Sequence, residues 1–216
     1  MIRAVVFDLD GVLLDSEQVW NEAKQQLTSE RGGRWSEEAP RRMMGMSSPE
    51  WTAYMREELG VEMQVEEISS EVVRRLEQIY RKRLPLLDGA QEAVTRLAAR
   101  WPLGLASSSN REIIDLFLEL SGLEGSFDVT VSSEEVERGK PAPDVFLEAA
   151  GRLGVEPTAC AAIEDSDNGI RSARAAGMRV LALPNPHYPP GAEALAQAHE
   201  VIRSLAELTP ERVAHA

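Results

Sequence analysis

Short apolar runs and longer amphipathic stretches alternate along most of this chain, and their order is the first clue to its architecture. Val5, Val6 and Phe7 form an apolar run bounded by Gly11 that reads as a fully buried strand. Similar runs follow at Leu103–Ala106, Phe127–Val131, Ala159–Ile163 and Arg179–Leu183, with a shorter one at Val201–Ile202. Between them the apolar period becomes helical. Asp88 is placed to cap a helix reaching about Arg100, and Asn110 or its neighbours to start one through Leu120. Pro143 sits at the first turn of a helix whose stripe is Val145, Phe146, Ala149, Ala150 and Leu153. Ser166–Ala176 makes a further helix, closed by Gly177.

The stretch from Ser16 to about Arg83 is different, because it is helical without a strand-like run. Ser16 is a candidate cap for a helix to about Arg31, ended by Gly32 and Gly33, and further helices are expected near Ser36–Met44 and Ser48–Leu59. Val72, Val73, Leu76, Ile79 and Tyr80 then share one face at helical spacing. Strands alternating with helices of this length predict an α/β fold, a Rossmann-like doubly wound parallel sheet. The helical block reads as a cap inserted after the first strand. The expected division is therefore a core of residues 1–15 and 84–216 and a helical cap of residues 16–83.

Composition narrows the partners. The 216 residues are 43% apolar and 27% charged, as in ordinary globular proteins. A net charge of −13 argues against a nucleic-acid backbone or an anionic membrane as partner. It also means that an anionic substrate needs local positive charge. The first strand begins near Arg3, which leaves no room before it for a signal peptide, and no apolar run reaches the ~20 residues of a membrane-spanning helix. The single cysteine, Cys160, lies in an apolar run and is expected to be a buried thiol. A cytoplasmic protein is expected, its oligomeric state open but a monomer favoured.

Candidate chemistry gathers at the predicted strand ends. Asp8 and Asp10, two apart on an extended segment, face one side, and ligands in open α/β sheets collect at the carboxyl ends of strands. Unit charges ~4 Å apart repel by about 4 kcal/mol at an effective dielectric near 20, so such a pair calls for a cation or a shared proton unless it only caps a turn. The strand through Ala106 delivers Ser107, Ser108 and Ser109 just before a helix, either as a phosphate seat or as simple caps. The strand through Ile163 delivers Glu164 and Asp165, hard oxygen ligands that with Asp8 suit Mg2+. Asp167 is a weaker ligand candidate, since an acid in a helix's first turn serves the dipole. Lys140, between Gly139 and Pro141 on a loop, is a candidate counter-charge for these acids and a bound phosphate.

In this order the segments DLDGV, LASSSN, GKPAPDVF and IEDSDNGIRSARAAGM resemble the four motifs of the haloacid dehalogenase superfamily. The helical insert and the Glu-Asp-Ser form look most like its β-phosphoglucomutase-like phosphatase subgroup. The resemblance implies Mg2+-dependent hydrolysis of a small phosphomonoester. Asp8 would be the nucleophile, forming an aspartyl-phosphate, and Asp10 the general acid and then general base. Asp8, the Asp10 backbone carbonyl, Glu164 and Asp165 would hold Mg2+. Ser107, Ser108 with neighbouring N–H groups, and Lys140 would hold the phosphoryl oxygens.

The chain departs from a mutase of this subgroup at two places. Trp20 stands where a histidine is frequent, and Met43-Met44-Gly45-Met46-Ser47-Ser48 lacks the basic residues a second phosphate needs. Arg41 and Arg42 look like exposed helix positions. A phosphatase is therefore expected, with a sugar phosphomutase or a silent phosphate-binding protein as alternatives. An acid at Asp10 argues against a dehalogenase. Trp20, Met43, Met44, Met46 and Trp51 either build the cap's own core or give the pocket an apolar lid.

Overall fold

A computed structural model of the chain describes residues 1–44 and 46–215; Gly45, inside the methionine-rich stretch, lies outside them. The strands are β1 (Ala4–Phe7), β2 (Leu103–Ser107), β3 (Val129–Ser132), β4 (Cys160–Glu164), β5 (Arg179–Ala182) and β6 (Glu200–Val201). They form one parallel sheet in the order β3-β2-β1-β4-β5-β6. The helices are α1 (Glu17–Glu30), α2 (Ala39–Met43), α3 (Ser48–Glu57), α4 (Val65–Lys82), α5 (Ala90–Ala98) and α6 (Arg111–Ser121), then α7 (Asp144–Leu153), α8 (Asp167–Ala175), α9 (Ala192–Leu195) and α10 (Pro210–His215). This is the doubly wound architecture expected from the alternation of runs.

The period of two sorts the sheet into two faces. Val5 and Phe7 join Leu103, Leu105, Ile163 and Leu181 in the core that takes in α5 and α6. Ala4 and Val6 join Ala106, Val131, Ala162 and Val180 in the core under α7 and α8. Being covered on both sides, β1 is wholly apolar and fully buried, as a central parallel strand must be. The order of strands reverses between β1 and β4, so the crevice beyond their carboxyl ends is the natural ligand site of the fold.

Between β1 and α5 the described residues form the four helices α1–α4 and no strand. The long helix α4 of this insert buries Ile68, Val72, Val73, Leu76 and Tyr80 against α1 and α3, while Ile79, expected on the same stripe, is half-buried. The same apolar cluster continues from this insert into the sheet core. Two strands of chain connect insert and sheet side by side, since Asp15 N–H donates to Pro85 O at 2.8 Å and Leu87 N–H to Leu13 O at 3.0 Å.

Several local details depart from the pattern-based expectation. Ser16 makes no cap bond to α1; its hydroxyl is drawn to Asp10 instead. The capping box of α3 belongs to Ser47 and Glu50 rather than to Ser48. The helix expected from Ser36 is confined to Ala39–Met43. Asp88 is exposed and caps nothing: the residue before α5 is Gly89, at φ +82, which supplies the left-handed turn directly. Cys160 is buried as expected, with burial pushing its thiol up to about 11.

Gly11 matters more than its place after β1 suggests. It combines φ +82 with a position where a Cβ would lie 1.9 Å from Asp165 Oδ2. Gly11→Ala is therefore expected to cost about 1–3 kcal/mol of folding stability. Chemical denaturation measures this directly, and an unchanged midpoint would contradict the stated strain.

Candidate active site

Sheet register builds the centre of the site. Phe7 pairs with Leu105 on β2 and with Ile163 on β4, so the residues that follow these strands emerge together. Asp8 N–H still bonds to Ile163 O at 3.0 Å, which fixes its carboxylate beside that of Glu164. Lys140, on the loop before α7, reaches between them. Its Nζ donates to Asp8 Oδ1 and Glu164 Oε1, each at 2.7 Å, and to Ala106 O at 3.1 Å. All three side chains are buried. Burial alone would push the ammonium pKa down; Asp8 and Glu164 override it and hold it above its ordinary value.

Glu164 has both oxygens engaged. Its Oε2 accepts from Asp165 N at 2.8 Å, Ser166 N at 3.1 Å and Ser166 Oγ at 3.1 Å, at the N-terminal end of α8. Gly169 makes room for it, because a Cβ there would fall 1.7 Å from Glu164 Oε1. Asp165 is more lightly held, by Asn185 Nδ2 at 3.4 Å. Carboxylate oxygens of Asp8, Glu164 and Asp165 lie within 4.8 Å of one another. Burial raises Asp8 to about 8 against the pull of Lys140, with Glu164 and Asp10 adding, and lifts Asp165 well above its usual range, with Glu164 and Asp8 adding. Three acids with one lysine form a hard-oxygen set short of positive charge, which fits Mg2+.

Asp10 lines the same cavity as Asp8, Lys140 and Asp165. Its Oδ1 accepts from Ser16 Oγ and, at 3.0 Å, from Trp20 Nε1, while its Oδ2 accepts from Ser109 Oγ. The donors come from the linker, from α1 and from the loop after β2, so its orientation depends on the helical insert. Ser107 is set back and fully buried, its Oγ accepting from Ser109 N at 3.0 Å; Ser108 and Ser109 are the serines that reach the cavity. Asp167 is turned away, its carboxylate accepting from Gly191 N at 2.9 Å.

One cavity of about 60 Å³ joins these groups to the insert. Asp8, Asp10, Lys140 and Asp165 line one side; Trp20, Met43, Met44, Met46 and Trp51 line the other. The two sequence readings of those apolar residues thus hold together, since Trp20, Met43 and Trp51 are also buried in the common core. Arg41 and Arg42 are exposed, as expected. The cavity is not purely apolar on the cap side, however. Glu17, Asn21 and Lys24 of α1 also line it. Burial pushes Lys24 down to about 8 against Glu17 and Asp10, and lifts Glu17 to about 7, with Asp10 adding and Lys24 opposing.

With this geometry in hand, likeness to known proteins becomes specific. A profile of the haloacid dehalogenase-like hydrolases matches residues 2–177. The chain belongs to this family. It is 35% identical over 214 residues to a protein of Drosophila melanogaster named probable pseudouridine-5'-phosphatase, covering 96% of this chain and 91% of that one. It is also 35% identical over 191 residues to hexitol phosphatase B of Escherichia coli K12, covering 86% and 85%. In fold it is similar to CbbY of Rhodobacter sphaeroides bound to phosphate, with TM-score 0.86, 24% identity and coverage of 99% and 100%. It is equally similar to β-phosphoglucomutase of Clostridium difficile, with TM-score 0.86, 24% identity and coverage of 100% and 96%. The family expected from the motifs is the one found.

The residues that sequence reasoning missed are Ser109 as a partner of Asp10, Asn185 behind Asp165, and the Glu17–Asn21–Lys24 face. Lys24 looked like one more polar position on an amphipathic helix; only its spacing of four from Trp20 hinted at a shared face. The raised carboxylates have a thermodynamic consequence. An acid whose pKa is higher folded than unfolded binds more protons in the folded state, so stability falls as pH rises through that interval. Metal-free protein is thus expected to lose melting temperature between about pH 5 and 8, from Asp8, Asp165 and Glu17 together. Lys24, shifted down, contributes a slope of the opposite sign above about 8. Asp8→Asn is expected to flatten the fall in pH-dependent calorimetry, and an unchanged slope would contradict the assignment to Asp8.

Proposed function

We propose that this chain is a Mg2+-dependent phosphatase that hydrolyses a small phosphomonoester through an aspartyl-phosphate. The observation that carries this reading is the buried Lys140 bridging Asp8 and Glu164 at 2.7 Å, with Asp165 in the same cluster. Asp8 is the nucleophile. Its carboxylate oxygen forms a bond to phosphorus as the ester's phosphorus–oxygen bond breaks, and Asp10 gives a proton to the departing alkoxide. Asp10 then takes a proton from the water that attacks phosphorus and regenerates Asp8. Lys140 and the Ser108 region hold the phosphoryl oxygens, with Ser107 shaping that turn.

Asp8, the Asp10 carbonyl, Glu164 and Asp165 would hold Mg2+, with Glu164 contributing largely through the placement of Lys140. Bound there, the ion would supply Lewis-acid neutralisation of the phosphoryl charge. Residues 16–83 act as a cap. The cavity is lined by both core and insert, so movement of the insert about its two adjacent linkers would admit substrate and release product. A buried lone thiol and the absence of a disulfide requirement suit action in the cytoplasm.

A sugar phosphomutase remains a second reading because Lys24 gives the cap side a cation. One ammonium facing Glu17 and Asp10 is poor provision for a second phosphate dianion, and hydrolysis is favoured. Purified protein with Mg2+ is expected to hydrolyse p-nitrophenyl phosphate, to stop on chelation, and to lose at least about 10⁴-fold in kcat in Asp8→Asn. Inactivity across a broad panel of phosphate esters with Mg2+ and Mn2+ would overturn the phosphatase reading. Transfer from a bisphosphate without net phosphate release would favour the mutase.

A further inference from the structure

The cap side of the cavity contains a buried ammonium that the catalytic reading leaves without a task. Lys24 is 6% exposed. Its Nζ lies 4.9 Å from the Trp20 ring centroid and 4.7 Å from that of Trp51, and the two rings meet edge to face at 6.1 Å. Among the described residues this nitrogen makes no hydrogen bond and no ion pair, yet it lines the cavity opposite Asp8 and Lys140. The ring faces offset part of its desolvation, but they leave three N–H donors without an oxygen partner. Its N–H donors face the cavity, where an oxygen of a bound molecule can accept from them.

We propose that Lys24 determines specificity by donating hydrogen bonds to uncharged oxygens, hydroxyl or carbonyl, on the non-phosphate end of the substrate. This assignment rests on the phosphatase reading. The charge around Lys24 selects the ligand class. Glu17 and Asp10 are the acids whose fields reach it, and Glu17 lines the same wall. A second phosphate or a carboxylate would meet these carboxylates, whereas a hydroxyl donates to Glu17 and accepts from Lys24. Asn21 offers an amide beside them, and the indole rings supply flat faces for carbon-bound hydrogens. Four of the five side chains of this wall, Glu17, Trp20, Asn21 and Lys24, lie on α1, with Trp20 and Lys24 one turn apart, so a single helix face presents stacking surface and donor together.

The test compares three esters: sorbitol 6-phosphate, fructose 1,6-bisphosphate and phenyl phosphate, which carries no oxygen beyond its phosphate group. Wild-type protein is expected to prefer sorbitol 6-phosphate over the bisphosphate. Lys24→Met keeps length and packing against both rings, and is expected to lose about 10- to 100-fold in kcat/KM for sorbitol 6-phosphate, chiefly through KM. For phenyl phosphate the same variant is expected to stay within about 3-fold of wild type. Lys24→Gln, which retains a donor, is expected to recover part of the loss. Equal losses on sorbitol 6-phosphate and phenyl phosphate would mean a structural role and overturn the proposal. So would no loss on either, or a wild-type preference for the bisphosphate. Wild-type protein inert towards all three esters would instead overturn the phosphatase reading, and this assignment with it.

Discussion

A single buried ammonium organises this site. Lys140 holds Asp8 and Glu164 at equal distances of 2.7 Å, with all three side chains buried. Burying two carboxylates side by side without it would be prohibitive, and burying the lysine without them would neutralise it. Adding Asp165 to the cluster leaves it short of positive charge. That shortage can be met by a bound cation or by protons on the raised carboxyls of Asp8 and Asp165. The rest of the core serves this arrangement. Register between β1 and β4 sets the spacing of the acids, Gly169 lets Glu164 tuck under α8, and Gly11 leaves space for Asp165.

Much of this was legible from residue types and order. Val5–Phe7 reads as a buried strand because both faces are covered, and the acids at the strand ends stand out because they follow such runs. Lys140 was legible from a charge argument and from the GKPAPDVF motif; that it bridges Asp8 and Glu164 is a tertiary fact. Local capping was the weakest reading. Ser16 looks like an N-cap, but Asp10 is a stronger acceptor for its hydroxyl than the helix N-terminus is a donor. Asp88 looks like one too, but Gly89 turns the chain without any side-chain cap. In both cases a nearby alternative took the place of a local propensity.

The cap face was legible only in part for a different reason. Trp20 and Trp51 lie 31 positions apart, and nothing in either segment says that their rings close around one lysine. Trp20 has two tasks here, since its N–H holds Asp10 while its ring flanks Lys24. The proposed proton-transfer residue and the proposed specificity wall therefore share a side chain on α1. On the proposed mechanism, lifting the insert would release Asp10 from Trp20 as the cavity opens.

The claim that Asp8 forms a covalent phosphoryl intermediate is tested most directly by trapping it. Asp10→Asn protein, slowed in the second half-reaction, would be quenched during turnover, reduced with borohydride and mapped by mass spectrometry. The account predicts homoserine at position 8, dependent on substrate and Mg2+ and absent when Asp8 is also replaced. Turnover with no reduced residue at position 8, or with the label at another carboxylate, would contradict it.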